Sequence, residues 1–386
     1  LPNNLRLQIL AATFVRLIIN TAHRMIYPFR PEFSAGLNVS ESALTTLLST
    51  RAALGTISPL LGFGAERLGS RRALFIGLAI YSGALTAVAL FPLYPVLFSA
   101  VILIVLAKLI FDPSLQAYLS ERTPYTQRGL VIAFTELGWS GAALIGIPLA
   151  GVWIAYRQVW YAPFAPLAFL SVVAGAILWG LLPHETTTTA HVGLPTLASW
   201  QLIARSPTVL AALSIGFFLS LANENLTAIY GLWLERDFGL PVVERGATLI
   251  VIGLAELAGE GLVMYWADRL GKRRAILIGL ALSVVAFLAL PLLAFDLTLA
   301  LIALGGVFIT FEFAMVSSIP MMTELLPTAR VAAMSANIAG HSLGRMLGVL
   351  LGSALFPFGF VWNGLAGAFI NLLTLGIVWW WVREGK

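Results

Sequence analysis

Cysteine is absent from the 386 residues, and charge is scarce: only 11% of the chain is Asp, Glu, Lys or Arg. Without cysteine there is no disulfide framework, no thiolate metal site and no cysteine nucleophile. The four histidines, His23, His184, His191 and His341, are scattered, with neither HExxH nor EF-hand spacing. No GxxxxGK(S/T) sequence occurs, so the phosphate loop of an ATP-driven machine is missing. A soluble domain carries about 25% charged residues. With 59% hydrophobic residues and a mean hydropathy of +0.91, this chain would have to be almost all core to hide its apolar surface from water. A soluble enzyme, a disordered chain and an outer-membrane barrel of alternating strands are thereby excluded. What remains is a polytopic helical membrane protein.

The apolar residues come in runs separated by short polar breaks. The runs are 5–29, 43–65, 73–92, 96–119, 129–154, 160–182, 208–234, 246–267, 275–294, 298–323, 331–356 and 361–382. Each of the twelve is long enough to cross ~30 Å of hydrocarbon at ~1.5 Å per residue. The first run carries Arg16 and leads into a turn, so it reads as a span and not as a cleavable leader. The polar stretch 183–207 holds His184, Glu185, four threonines, Pro195 and Pro207, the composition of a linker, with a short surface helix near 196–204. The expected organisation is an N-terminal six-helix bundle over 1–182, a cytoplasmic linker over 183–207 and a C-terminal six-helix bundle over 208–386.

Lysine and arginine orient the spans. With both termini in the cytoplasm, fourteen of the 23 fall on the cytoplasmic side and four outside (Arg30, Arg157, Arg236 and Arg245), with five inside spans. That asymmetry is the positive-inside bias. Acidic residues divide evenly between the two sides.

An internal repeat accompanies this pattern. Residues 66–80 read ERLGSRRALFIGLAI and residues 268–282 read DRLGKRRAILIGLAL, ten identities in fifteen positions at an offset of 202. A weaker echo pairs Glu121, Pro124 and Arg128 with Glu324, Pro327 and Arg330. Six spans separate the copies, so both have one orientation, as in parallel six-helix repeats. The stretch Gly62-x-x-x-Glu66-Arg67-x-Gly69-x-Arg71-Arg72 resembles the loop between the second and third helices of the major facilitator superfamily. Glu66 stands where the family usually has Asp, and Met264 stands where the second copy would have its opening Gly. The resemblance implies an all-α membrane protein with twelve transmembrane helices in two parallel six-helix repeats and both termini cytoplasmic. In the loop, the acid sits just inside a helix end and the glycine permits the turn. The expected latch joins Glu66, Arg67, Gly69 and Arg72 to Glu121, and Asp268, Arg269, Gly271 and Arg274 to Glu324.

Charges inside spans carry the functional signal, because a charge at the bilayer centre costs ~2.5–3.5 kcal/mol and must face protein or water. They are Arg16, Arg24, Arg51, Lys108, Asp112, Glu136, Glu224, Glu256, Glu260, Glu312 and Arg345, with none in spans 3, 6, 9 and 12. The eight charged spans are expected to line an aqueous cavity, the division that the superfamily's fold would also make. The first half is rich in cations and the second in acids. Arg16, Lys108, Glu256 and His341 fall ~15–18 Å from a helix end, near the midplane. Lys108 and Asp112 lie at i and i+4 on one face, and Pro113 should kink their helix. Arg16 and Asn20 lie on one stripe with Arg24, and Asn337, His341 and Arg345 on another. Beside the latter runs a ladder of Gly340, Gly344, Gly348 and Gly352 that permits close helix contact. Gly138, Gly141, Gly146, Pro148 and Gly151 loosely resemble the glycine-proline motif of the superfamily's antiporters, with Ile147 interrupting the Gly-Pro pair.

These residues define the expected sites. Arg16, Asn20, Lys108, Asn337, His341 and Arg345 are candidates for substrate binding. Glu256 and Glu312 lead the proton-coupling candidates, with Glu260, Asp112, Glu136 and Glu224 behind them and Arg345 as the expected partner of the leading pair. A buried carboxylate resists ionisation, so it can take a proton on one side and release it on the other. The expected activity is secondary active transport of a small amphipathic or organic solute by alternating access, coupled to protons and directed outward. Lipid or lysolipid movement and organic-anion uptake are the alternatives within transport. An ion channel lacks its ring of pore residues, and an enzyme lacks a nucleophile or metal cluster. Expected partners are the substrate, protons and the bilayer of a prokaryotic inner membrane, with no cofactor, metal or nucleic acid, and the protein acting as a monomer.

Overall fold

A computed structural model describes residues 3–57, 70–123, 128–182, 197–325 and 330–382. All regular structure among them is helical. The helices are α1 (Asn3–Arg24), α2 (Arg30–Leu37), α3 (Glu41–Ala53), α4 (Ser70–Leu90), α5 (Tyr94–Arg122), α6 (Arg128–Gly141), α7 (Ile147–Arg157), α8 (Phe164–Leu181), α9 (Leu197–Arg205), α10 (Pro207–Thr227), α11 (Tyr230–Phe238), α12 (Val242–Leu270), α13 (Lys272–Leu293), α14 (Leu297–Leu325), α15 (Arg330–Leu355) and α16 (Phe360–Trp381). Among the described residues, eleven helices or helix pairs are long and apolar enough to cross a membrane. The run 43–65 is described only as far as Ile57.

Two runs are shorter as helices than their hydropathy suggests. The run 5–29 ends as a helix at Arg24, because Pro28 has no N–H to continue the ladder, and Pro31 instead starts α2. The run 208–234 breaks after Thr227, three residues past Glu224, and resumes at Tyr230. The surface helix before it is α9. Ser206 then caps α10 by accepting from the Val209 N–H at 3.4 Å, with Pro207 in the first turn.

By packing, the chain forms two units. The first comprises Leu1–Glu41, Ile57–Leu194 and Leu240–Ile250, the second Ser42–Thr56, Pro195–Gly239 and Val251–Lys386. In the first, α1 packs on α6 and α8, and α4 on α5 and α8. In the second, α10 packs on α15 and α16, and α13 on α14 and α16. These are the same four pairings six spans later. The second core holds Ala212, Ile215, Leu219, Ile276, Leu280, Ala314 and Val378. Asn225 and Asn363 tie α10 to α16 through side-chain amides at 2.8 and 3.1 Å, and Asn363 also donates to the Gly352 carbonyl at 3.0 Å.

Each unit also holds a segment from the other half of the sequence. In the first, Arg245 is buried and ion-paired with Glu32. Phe29, fully buried, fills the gap that Gly151 and Gly246 leave, with 3.0 and 3.1 Å to where their Cβ atoms would be. In the second, Thr45 Oγ1 donates to Ser353 Oγ at 3.0 Å, and Gly55 lies against Ser342.

The sequence repeat makes one contact twice. Arg71, second residue of α4, donates from Nε to the Leu182 carbonyl at 3.0 Å and from Nη2 to the Trp179 carbonyl at 3.3 Å, at the end of α8. Arg273, second residue of α13, donates to the Val382 and Trp379 carbonyls at 2.6 and 2.8 Å, at the end of α16. Helix ends leave carbonyls without partners, and a cation there also meets the negative end of the helix dipole. Arg71→Ala is expected to cost about 1–3 kcal/mol. Arg273→Ala should cost less, because Arg273 is only half-buried. Denaturant unfolding in detergent gives the order, and equal losses, or a larger one for Arg273, would contradict this account.

Candidate functional site

The first unit gathers the charges of three helices. Arg16 on α1 is held by Glu136 on α6, Nη1 to Oε1 at 2.7 Å and Nη2 to Oε2 at 2.9 Å, a two-pronged pair. Nη1 also reaches Thr135 Oγ1 at 3.4 Å, and Nε lies 3.3 Å from Asp112 Oδ1 on α5. Lys108, one turn before Asp112, donates to Asp112 Oδ2 at 2.6 Å and to Asn20 Oδ1 at 2.7 Å. Gln116 Nε2 approaches Glu136 Oε1 at 3.5 Å. Arg24 lies over the Trp139 ring at 4.3 Å and donates to its carbonyl at 3.3 Å, and Lys108 Nζ is 5.8 Å from the same ring centre.

Glycines seat this cluster. A Cβ on Gly138 would stand 2.7 Å from Arg16 Cβ and 2.9 Å from the Thr13 carbonyl, and one on Gly146 would collide with the Thr21 side chain. The bare backbone therefore lets α1 come close enough for Arg16 to reach Glu136. Residues Ala142–Gly146 form a π-helical turn between α6 and α7, a distortion often found at functional sites. Helix α5 runs unbroken through Pro113, which has no N–H to offer the carbonyl one turn back, beside Lys108 and Asp112.

The second unit arranges its candidates differently. His341 Nδ1 is 2.9 Å from Ser220 Oγ, and the ring lies against Gly216, so both neighbours are on α10. Its Nε2 would be 2.6 Å from a Cβ on Gly216, and the buried Asn337 Oδ1 3.0 Å from the same point. The glycine ladder of α15 faces α10 too: Gly344 abuts Phe217 and Leu221, Gly348 abuts Glu224 and Gly352 abuts Asn225. Arg345 is exposed and makes no ion pair among the described residues. Glu256 is buried, while Glu260 and Glu312 are half-buried. Gly259, between the two α12 glutamates, brings the α12 backbone against α14, its Cβ position 2.6 Å from Glu312 Cβ. Glu224 is buried in the last turn of α10.

Much of the expected latch lies outside the described residues: Glu66, Arg67 and Gly69, and the side chains of Glu121, Asp268 and Glu324. Gly271 has φ +84° and starts α13, as its turn requires. Arg72 and Arg274 are exposed, and Arg269, also exposed, lies over Tyr265 at 4.1 Å. Sequence reasoning did not single out Thr135, Trp139, Gln116 and Ser220. For Trp139 the available signal was its place one turn after Glu136.

Known proteins resemble this chain in sequence and in fold. The Major Facilitator Superfamily profile matches residues 12–311 and 212–386. An uncharacterized MFS-type transporter of Bacillus subtilis, YceJ, is 27% identical over 259 residues, 64% of this chain and 63% of its own length, so the chain spans under two thirds of that relative. Multidrug resistance protein 2 of the same organism is 23% identical over 374 residues, covering 93% of this chain and 91% of that protein. Among solved structures, a D-xylose-proton symporter superposes with a TM-score of 0.75 at 17% identity, covering 97% of each chain, a likeness of fold alone.

Proposed function

The chain belongs to the Major Facilitator Superfamily and is a membrane transporter, not an enzyme, and from that premise we propose a proton-coupled carrier that exports a small amphipathic or organic solute by alternating access. The observation that carries the coupling is the density of carboxylates on packed helices, Asp112 and Glu136 around Arg16 and Glu256, Glu260 and Glu312 around Gly259. A carboxylate at such a place is costly while charged and alone, so it alternates between a paired and a protonated form. Export is supported by the resemblance to Multidrug resistance protein 2. A second reading, uptake of an organic anion with a proton, is favoured by the presence of Arg16 and Lys108 in the same cluster. In either direction residues 1–182 and 208–386 are the two moving six-helix halves, twelve spans in all, joined by 183–207 with both termini in the cytoplasm. The protein acts as a monomer in a prokaryotic plasma membrane.

The test is flux through proteoliposomes under an imposed pH gradient. Glu256→Gln and Glu312→Gln keep size and remove charge, and each is expected to abolish the response to the gradient while leaving exchange of solute down its own gradient. If both variants respond as the parent does, those glutamates are not the carriers. A parent protein that responds to no pH gradient would end the proton-coupled reading.

A further inference from the structure

We propose that the transported solute is an organic carboxylate, bound together with one proton, and that its carboxylate takes the place of Asp112 on Lys108 and also accepts from Asn20. This rests on the proton-coupled carrier reading in its symport form, with Asp112 in place of Glu256 and Glu312 as the proton group, so that under it Glu256→Gln and Glu312→Gln keep their response to a pH gradient.

The cluster divides into a fixed pair and an exchangeable one. Glu136 uses both oxygens on Arg16, and Gly138 locks Arg16 at its Cβ. Lys108 meets one oxygen of Asp112 and the amide oxygen of Asn20, so no carboxylate grips it with both oxygens. Asn20 is fully buried, and its Nδ2 has no acceptor among the described residues. A buried amide donor without a partner is costly, so an acceptor arriving beside Lys108 would be favoured there. A solute carboxylate supplies it, accepting from Lys108 Nζ with one oxygen and from Asn20 Nδ2 with the other. The half-buried Trp139 ring, close to Lys108 Nζ, gives the apolar body of the solute a flat wall.

Charge decides the sign of the solute. Fully ionised, Arg16, Lys108, Asp112 and Glu136 sum to zero. A proton on Asp112 leaves one positive charge, and an anion arriving with it restores neutrality. These four groups then carry the same net charge empty and loaded, so loading adds no charge inside the bilayer. A cationic solute would leave the site positive. The other groups around Asp112 agree with this. Arg16 faces it from α1, Lys108 from its own helix, and Glu136 from α6 through Arg16. Helix α4 packs there through Gly77 against Ala107 and Phe111, and its charged residues, Arg71 and Arg72, lie in its first turn. Arg24, on the Trp139 ring, adds attraction for an anion. One freed ammonium and one amide donor match a monovalent carboxylate. No covalent bond is made: the proton goes from water to Asp112, and leaves when the solute does.

The test uses purified protein with benzoate as probe, 2-naphthoate as a larger carboxylate and benzyltrimethylammonium as a cationic control. Benzoate is expected to raise the melting temperature far more at acidic than at alkaline pH. In unbuffered solution, binding should take up about one proton per benzoate. Asp112→Asn, which imitates the protonated form, should bind benzoate equally at both pH values and take up no proton. Lys108→Met and Asn20→Ala should weaken binding by about tenfold or more. The proposal is overturned if neither carboxylate binds the parent, if the cation binds instead, or if Asp112→Asn keeps the parent's pH dependence. Proton uptake by the parent needs no variant, so a misfolded variant does not decide the matter. If a pH gradient drives the cationic control through parent liposomes while carboxylates fail to bind, the carboxylate site falls and the carrier reading stands.

Discussion

Replacing Arg16 by alanine is expected to cost about 3 kcal/mol of stability and to abolish transport. The guanidinium joins α1 to α5 and α6 through Asp112 and Glu136. Without it two carboxylates face each other with only Lys108 between them. Breaking a buried pair by removing one partner costs about 3–5 kcal/mol, because the remaining charge is left uncompensated. The lower end applies here, since the Arg16 side chain is 6% exposed and that of Glu136 37%. Removing both partners should be much milder: Arg16→Met with Glu136→Gln should recover most of the stability but none of the flux. Denaturant unfolding in detergent, beside flux in liposomes, separates the two effects. A loss below about 1 kcal/mol for Arg16→Ala would mean the cluster behaves as an exposed surface pair.

How far this cluster could be read from sequence depends on distance along the chain. Lys108 with Asp112 is an i, i+4 pair, set by helix geometry alone, and it is present. Arg16 with Glu136 is 120 residues apart, and the glycines at 138, 141 and 146, against which α1 packs, do not name α1 as their partner. Hydropathy placed the charges on helices, and periodicity placed them on faces. Neither fixes which helix a face meets, or at what height. The ladder of Gly344, Gly348 and Gly352 was readable as a surface for close contact, but its partner, α10, was not. Hence Arg345 was expected beside Glu256 or Glu312, whereas it makes no ion pair among the described residues. The repeat pointed to a paired role for its arginines. That Arg71 and Arg273 cap α8 and α16 depends on where those helices end in space. The Glu32–Arg245 pair spans 213 residues between two segments without shared pattern, and only the fold brings it together.

Valine at position 344 is expected to cost about 3 kcal/mol or more. A Cβ there would lie on the Phe217 carbonyl, with the Phe217 carbonyl carbon at 3.0 Å and the Leu221 nitrogen at 3.2 Å. All three are backbone atoms of α10 and cannot swing aside as a side chain can, so α10 and α15 must separate. Separation would also draw His341 from Ser220 and open the contacts of Gly348 and Gly352. Gly340 is the internal control. It sits one turn earlier on the same ladder, and its Cβ position is 3.6 Å from the Leu213 carbonyl and 3.9 Å from Phe217 Cβ, ordinary contacts. Gly340→Ala should therefore be neutral or gain up to about 1 kcal/mol from helix propensity. Gly344→Ala should fall between the two, since the added methyl meets the clash while the same propensity offsets part of it. Thermal unfolding of the three variants gives the order. If Gly344→Val melts with Gly340→Ala, the close approach of α10 and α15 is wrong, and with it the placement of His341 and Asn337 against Gly216.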